Sequence, residues 1–223
     1  MVGLQTSLPI VWRESADIAQ QLGDGSDAPH WLLPVLEAAH AFVPLDALAD
    51  AAGALPLPAD AVLMLAQPRP LAPAENVALD RWVRGGGHVL LFADPMLTAH
   101  SRFALGDARR PQDVAMLSPI LRHWGLELEF DPDQPEAEQV VEAGGVRIPV
   151  HLRGRWRLSG KAGDGRARCR IEGDSLIARC ALGEGAIVAV ADAALLEEPA
   201  NPQDVARRRE AFLQLLRFAV TPR

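Results

Sequence analysis

The chain has no tyrosine and a single lysine, Lys161, in 223 residues. A lysine Schiff base therefore has one candidate and no tyrosine general acid is available. Alanine and arginine are abundant, which reads as a composition bias of the coding sequence. No apolar run reaches the ~18–20 residues needed to span a bilayer, so no transmembrane segment is expected. No charged stretch followed by an apolar one marks a signal peptide. Clustered positive charge is also lacking. The 22 basic residues are outnumbered by 29 acidic ones, for a net charge of −7, and nucleic-acid partners are not expected on such a surface. The one basic run, Arg207-Arg208-Arg209, sits in a helical pattern.

The usual signatures of catalysis are missing too. No Gly-x-Ser-x-Gly or Gly-x-Cys-x-Gly elbow follows a strand-like run. Gly154 to Lys161 has one residue too many for a phosphate loop, and Ala162 stands where Ser or Thr would meet magnesium. Gly85-Gly86-Gly87 precedes a strand, whereas a dinucleotide loop lies between strand and helix. The six histidines are scattered, with no metal-ligand spacing and no CxxC. No cofactor is expected.

What remains is a globular chain, 49% apolar and 23% charged, sufficient for one domain spanning residues 1–223. Strand-like and helix-like segments alternate through its first two thirds. A first strand is expected from Val2 to Trp12, followed by a Gly/Asp/Ser loop at 23–27. A helix over Trp31–His40 leads to a short strand at Ala41–Leu45. Ala61–Ala66 and His88–Ala93 are continuous apolar runs, which suit strands buried on both faces of a parallel sheet. Between them, Pro73 fits a first helical position, Ala78, Leu79, Trp82 and Val83 share one face, and Gly85-Gly86-Gly87 supplies the left-handed stop. This is a βαβ unit.

Residues 96–113 read as a long loop. Ser118-Pro119 starts a helix with Ile120, Leu121 and Trp124 on its apolar face, and Gly125 ends it. Leu126–Phe130 alternates as a strand with one wet face. Residues 138–182, with their many glycines, read as a small antiparallel β insertion that could serve as a lid. Ala186–Ala191 is another buried strand, and Pro202–Val220 a helix presenting Val205, Phe212, Leu216 and Ala219. The fold class is α/β, with a doubly wound, mostly parallel sheet of flavodoxin or glutamine amidotransferase type.

Asp94 and Asp192 each end an apolar strand, at the edge where open α/β sheets bind ligands. Carboxylates there would hold a sugar hydroxyl or a divalent ion, or cap the turn that follows. Trp12 and Glu14 lie past the first strand and would share this edge. Arg69 and Arg102 would add positive charge. Cys169 and Cys180 flank a turn at Glu172–Ser175 and would face each other across a hairpin. Two readings stand for them, a disulfide suited to an oxidising compartment or two small buried residues.

Several of these pieces resemble one family. The segments Leu63–Ala66, Leu71–Glu75, Leu79–Gly87, Leu90–Pro95, Leu117–Leu126 and Gly183–Asp192 resemble, in order, the auxiliary domain of ABC-type transport systems. These are the GldG-like, gliding-motility-associated proteins, related to the intraflagellar-transport-type domain. The resemblance implies a class I glutamine amidotransferase-like fold without its nucleophile. It also implies an extracytoplasmic domain, tethered in the full-length protein, although a cytoplasmic location stays open. The function it implies is a non-enzymatic binding or scaffolding module of a transport or cell-envelope system. Its partners would be ABC transporter subunits, envelope proteins or a carbohydrate-like ligand. The alternative is a hydrolase or transferase using carboxylates at the strand edge, with or without a metal.

Overall fold

A computed structural model describes residues 1–12, 14, 29–39, 41–159, 167–199 and 201–221. The expected loop at 23–27, Arg13, and the glycines at 160, 163 and 165 with Lys161 lie outside the described residues.

The chain is a mixed α/β structure built on a mostly parallel central sheet. Its strands are β1 (Val2–Thr6), β2 (Phe42–Pro44), β3 (Val62–Ala66), β4 (His88–Phe92), β9 (Arg168–Glu172), β10 (Ile177–Leu182) and β11 (Gly185–Val190). Their spatial order is β2-β1-β3-β4-β11-β10-β9. The first five of these run parallel, and β10 and β9 extend the sheet antiparallel. Every residue of β3 and β11 is buried, as continuous apolar runs require. Each fully buried Val, Leu or Ile contributes about 1.5–3 kcal/mol of transfer free energy.

The helices are α1 (Leu32–Ala39), α2 (Pro73–Arg84), α3 (Ser118–Trp124) and α4 (Gln203–Val220), with a 3-10 turn at Ala194–Leu196. Pro73 opens α2, and the Glu75 carboxylate accepts the Ala72 N–H at 2.8 Å, supplying a bond that Ala72 cannot make for itself. Ala78, Leu79 and Val83 are buried on its inner face, while the Trp82 indole donates to Leu57 O and Pro58 O. The stop lies within the expected glycine run. Gly85 keeps φ −83°, and the left-handed residue is Gly86 at φ +111°. Gly87 is glycine because a Cβ there would lie 2.3 Å from the Trp82 ring. Gly125 does take the left-handed conformation that closes α3, at φ +88°. The Trp124 indole is buried and donates to Asp80 of α2 at 3.0 Å.

Two expectations need correction. The first strand does not reach Trp12. It ends at Thr6, whose hydroxyl donates to Ala66 O and accepts the Leu8 N–H. A tight turn follows, ahead of Pro9. Residues 138–182 are also not one insertion. The strands β6 (Gln139–Ala143) and β7 (Val146–Val150) form a separate hairpin, and β8 (Gly154–Leu158) pairs with β5 (Leu126–Phe130). The strands β9 and β10 join the central sheet. These pieces share one buried cluster with the main sheet, and the buried Trp156 of β8 donates its indole N–H to Ala189 O of β11 at 2.9 Å. The segment is thus fixed to the core and is not a free lid. In α4, Arg208 of the basic run is buried, bonded to Ala194 O and Glu138.

Candidate functional site

The carboxyl ends of β1, β3, β4 and β11 lie side by side, in a register that aligns Thr6, Ala66, Phe92 and Val190. Asp94 and Asp192 each stand two residues past that line. Neighbouring strands lie ~4.8 Å apart, so the two acids are adjacent. They are also enclosed, at 0% and 1% exposure. Asp94 accepts the N–H groups of Met96 at 2.8 Å and Ala193 at 3.1 Å. Asp192 accepts those of Ala194 at 2.6 Å and His151 at 2.9 Å. The pair fastens the loop after β4, the turn after β11 and the loop after β7 to one point. Capping, one of the two roles read from the sequence, is the one these contacts perform, and both carboxylates are closed off from solvent.

Burial, the largest influence on Asp94, raises its pKa to about 7 against the two N–H donors. Burial also pushes Asp192 well above the ordinary carboxylate range, and the neighbouring Asp94 charge adds to this. Two like charges in one dry site cannot readily both ionise.

Gln67, the residue after β3, was not legible as a site residue. It is fully buried with φ +44°, a conformation rare outside glycine. Its amide donates to Asp94 O and Gln112 O, and its carbonyl accepts the Asp94 N–H at 2.8 Å. Ser7, after β1, donates to Gln67 O and accepts the Gln112 N–H. The long loop is thereby drawn over the strand ends, with further bonds from Ala115 N–H to Asp94 O and Leu97 N–H to Asp113 O.

Beyond this layer the six candidates separate. Glu14 and Arg102 line a pocket of about 610 Å³ together with His30, His100 and Glu197. Both Glu14 oxygens accept, from the Ser101 hydroxyl at 2.7 Å and the Arg102 N–H at 2.8 Å. Glu197 is half-buried and closes the 3-10 turn that starts from Asp192. The Thr98 hydroxyl donates to it at 3.2 Å. Burial raises the Glu197 pKa, opposed by the Thr98 bond and the Arg208 charge. The sequence did not single out Glu197.

Trp12 and Arg69 belong to a neighbouring pocket of about 370 Å³, with Phe103 and Arg109. Arg69 also donates to Ala108 O and Arg110 O, clasping the long loop. Cys169 and Cys180 form a disulfide across the directly opposed pair of β9 and β10, on the edge of the sheet remote from these pockets. Among the described residues, no group of three or more His, Cys, Asp or Glu side chains is placed to hold a metal ion.

No protein-family model and no curated protein matches the sequence. Among solved structures, the chain is similar to Gan42B, a GH42 β-galactosidase from G. stearothermophilus, with a TM-score of 0.50 at 12% identity. The match covers 97% of this chain and 29% of that one. It is also similar to the exo-β-1,4-mannosidase Op5Man5 from Opitutaceae bacterium strain TAV5, with a TM-score of 0.48 at 14% identity, over 98% of this chain and 34% of that one. The chain thus spans about a third of the length of the structures it matches. The expectation of a non-enzymatic transport module is corrected here. The Gan42B likeness is one of fold alone, and the matching part lies within a carbohydrate hydrolase.

Proposed function

We propose that the chain is a hydrolase domain acting on a carbohydrate-like substrate, with Glu197 as general acid and Glu14 as general base. The observation that carries this is the pocket of about 610 Å³ that these two glutamates both line. Their environments differ, and such divergence is how paired carboxyl groups take opposite roles. Burial raises Glu197 above the ordinary glutamate range, the direction a general acid needs. Glu14 accepts two hydrogen bonds and is placed to accept a proton as well. In the hydrolytic step, Glu14 takes a proton from water as its oxygen attacks the anomeric carbon. The bond from that carbon to the leaving oxygen breaks, and Glu197 protonates the leaving oxygen. His30, His100 and Arg102 offer the hydrogen-bonding groups a polyhydroxylated substrate requires.

The strand order supports a doubly wound sheet of flavodoxin or glutamine amidotransferase type, whose five parallel strands follow the sequence 2-1-3-4-5. The substrate class named for Gan42B supplies the first compounds to test. The Cys169–Cys180 bond supports an oxidising compartment.

The test is hydrolysis of a panel of 4-nitrophenyl glycosides, with galactosides and mannosides included. Turnover by the wild type, reduced about 10²–10⁴-fold in Glu197→Gln and in Glu14→Gln, is the expected result. Turnover that is unchanged in both variants, or absent across the panel, contradicts the assignment.

A further inference from the structure

The connection leaving β1 leads to β2 on one side, while that leaving β3 leads to β4 on the other. The two strands are neighbours, so their ends diverge and open a crevice, the place where open α/β sheets hold their ligands. The pocket of about 370 Å³ lies at this point. Thr6 and Ser7 stand at the end of β1, and Arg69 follows β3.

Its walls are unlike those of the acid–base pocket. Trp12 and Phe103 form a tilted aromatic pair, with ring centroids 6.5 Å apart and planes inclined by 39°. The Arg109 guanidinium lies over the Phe103 ring, 4.2 Å from its centroid. Arg69 spends one terminal nitrogen on the Ala108 and Arg110 carbonyls. Arg109 uses Nε and one terminal nitrogen on Asp107. Each planar guanidinium has five N–H donors, so both can still offer donors to a ligand. The Ser7 hydroxyl is already committed on both sides, so selectivity falls to the aromatic and cationic groups. A flat body fits against the rings and a negative group against the guanidiniums.

We propose that this crevice is a binding site for a planar aromatic anion, an aryl phosphate or aryl carboxylate, held against the aromatic wall of Trp12 and Phe103 and anchored by Arg69 and Arg109. The site shares no side chain with the Glu14 and Glu197 pocket and does not depend on that assignment. The phosphate is the stronger test because it presents more acceptor oxygens to two forked donors.

Calorimetric titration of the full chain with 2-naphthyl phosphate, 2-naphthol and inorganic phosphate tests it. Naphthyl phosphate is expected to bind at least tenfold more tightly than either fragment. Trp12→Ala and Arg109→Gln should each weaken it tenfold or more, while Glu197→Gln leaves it unchanged. Arg69→Gln should do the same, although that variant also loosens the loop; Arg109→Gln keeps the Arg69 clasp and so isolates the ligand contact. The proposal is overturned if naphthyl phosphate does not bind, if inorganic phosphate binds as tightly, or if Trp12→Ala and Arg109→Gln both bind as the wild type does.

Discussion

At the scale of single residues, the Asp94 and Asp192 pair sets the chemistry of the strand edge. Both acids were legible as strand-terminal carboxylates because each follows an uninterrupted apolar run. Their burial was not legible, since it depends on residues 95–117 folding back over the edge. Four backbone donors gathered from distant segments hold the pair in place. Because burial raises the Asp94 pKa to about 7, its contribution to stability is fully present below its unfolded value of ~3.9. That contribution is lost as pH rises from there through about 7. Urea midpoints measured from pH 4 to 8 should therefore fall for the wild type more steeply than for Asp94→Asn. The variant carries a constant penalty of about 1–3 kcal/mol, because one buried backbone N–H faces an amide instead of an acceptor. Parallel curves for the two proteins would show that the carboxyl pair does not titrate in this range. Glu197 escaped the sequence for a related reason. Its neighbour Glu198 is exposed, and only the 3-10 turn after Asp192 turns Glu197 inward.

At the scale of elements, strands buried on both faces were the most readable features. Ala61–Ala66, His88–Ala93 and Ala186–Ala191 need no pattern beyond continuous apolarity, and each falls within one residue of its place. The helix α2 was readable from its opening proline and its terminal glycines. Alternating strands were readable as strands but not by partner. The alternation in Leu126–Phe130 says that one face is covered, yet pairing with β8 in a small sheet and pairing in the main sheet satisfy it equally. The same ambiguity hid the division of residues 138–182 among three sheets. The strands β9 and β10 form one edge of the central sheet, and their disulfide closes a loop with a sequence separation of 11. Replacing both cysteines with serine should cost about 2–4 kcal/mol, measured by chemical denaturation, with amide exchange accelerating first in Arg168–Glu172. Loss confined to another strand would place the contribution of the disulfide elsewhere.

At the scale of the whole molecule, the sheet presents one functional edge in two compartments above a sealed layer. The layer is made of Ser7, Gln67, Asp94 and Asp192, whose polar groups are consumed in holding loops. Above it, Glu14 and Glu197 share one pocket while Trp12 and Arg69 share the other. The six residues singled out in the sequence therefore do converge on one edge but not on one cleft. Sequence position could not separate them, because Glu14 is only two residues beyond Trp12 and the long loop alone divides their pockets. Asp192 accepts the N–H of Ala194, the first residue of the turn that leads to Glu197. Buried acids thus anchor the turn that leads to the half-buried Glu197, the residue proposed as the general acid.

The central claim is that Glu197 acts as the acid of this edge, and the pH dependence of kcat/KM for glycoside hydrolysis tests it most directly. The account predicts an alkaline limb whose midpoint lies above the ordinary glutamate range, as burial of Glu197 requires. It also predicts that this limb is absent from the residual activity of Glu197→Gln. An alkaline limb that persists unchanged in Glu197→Gln would contradict it.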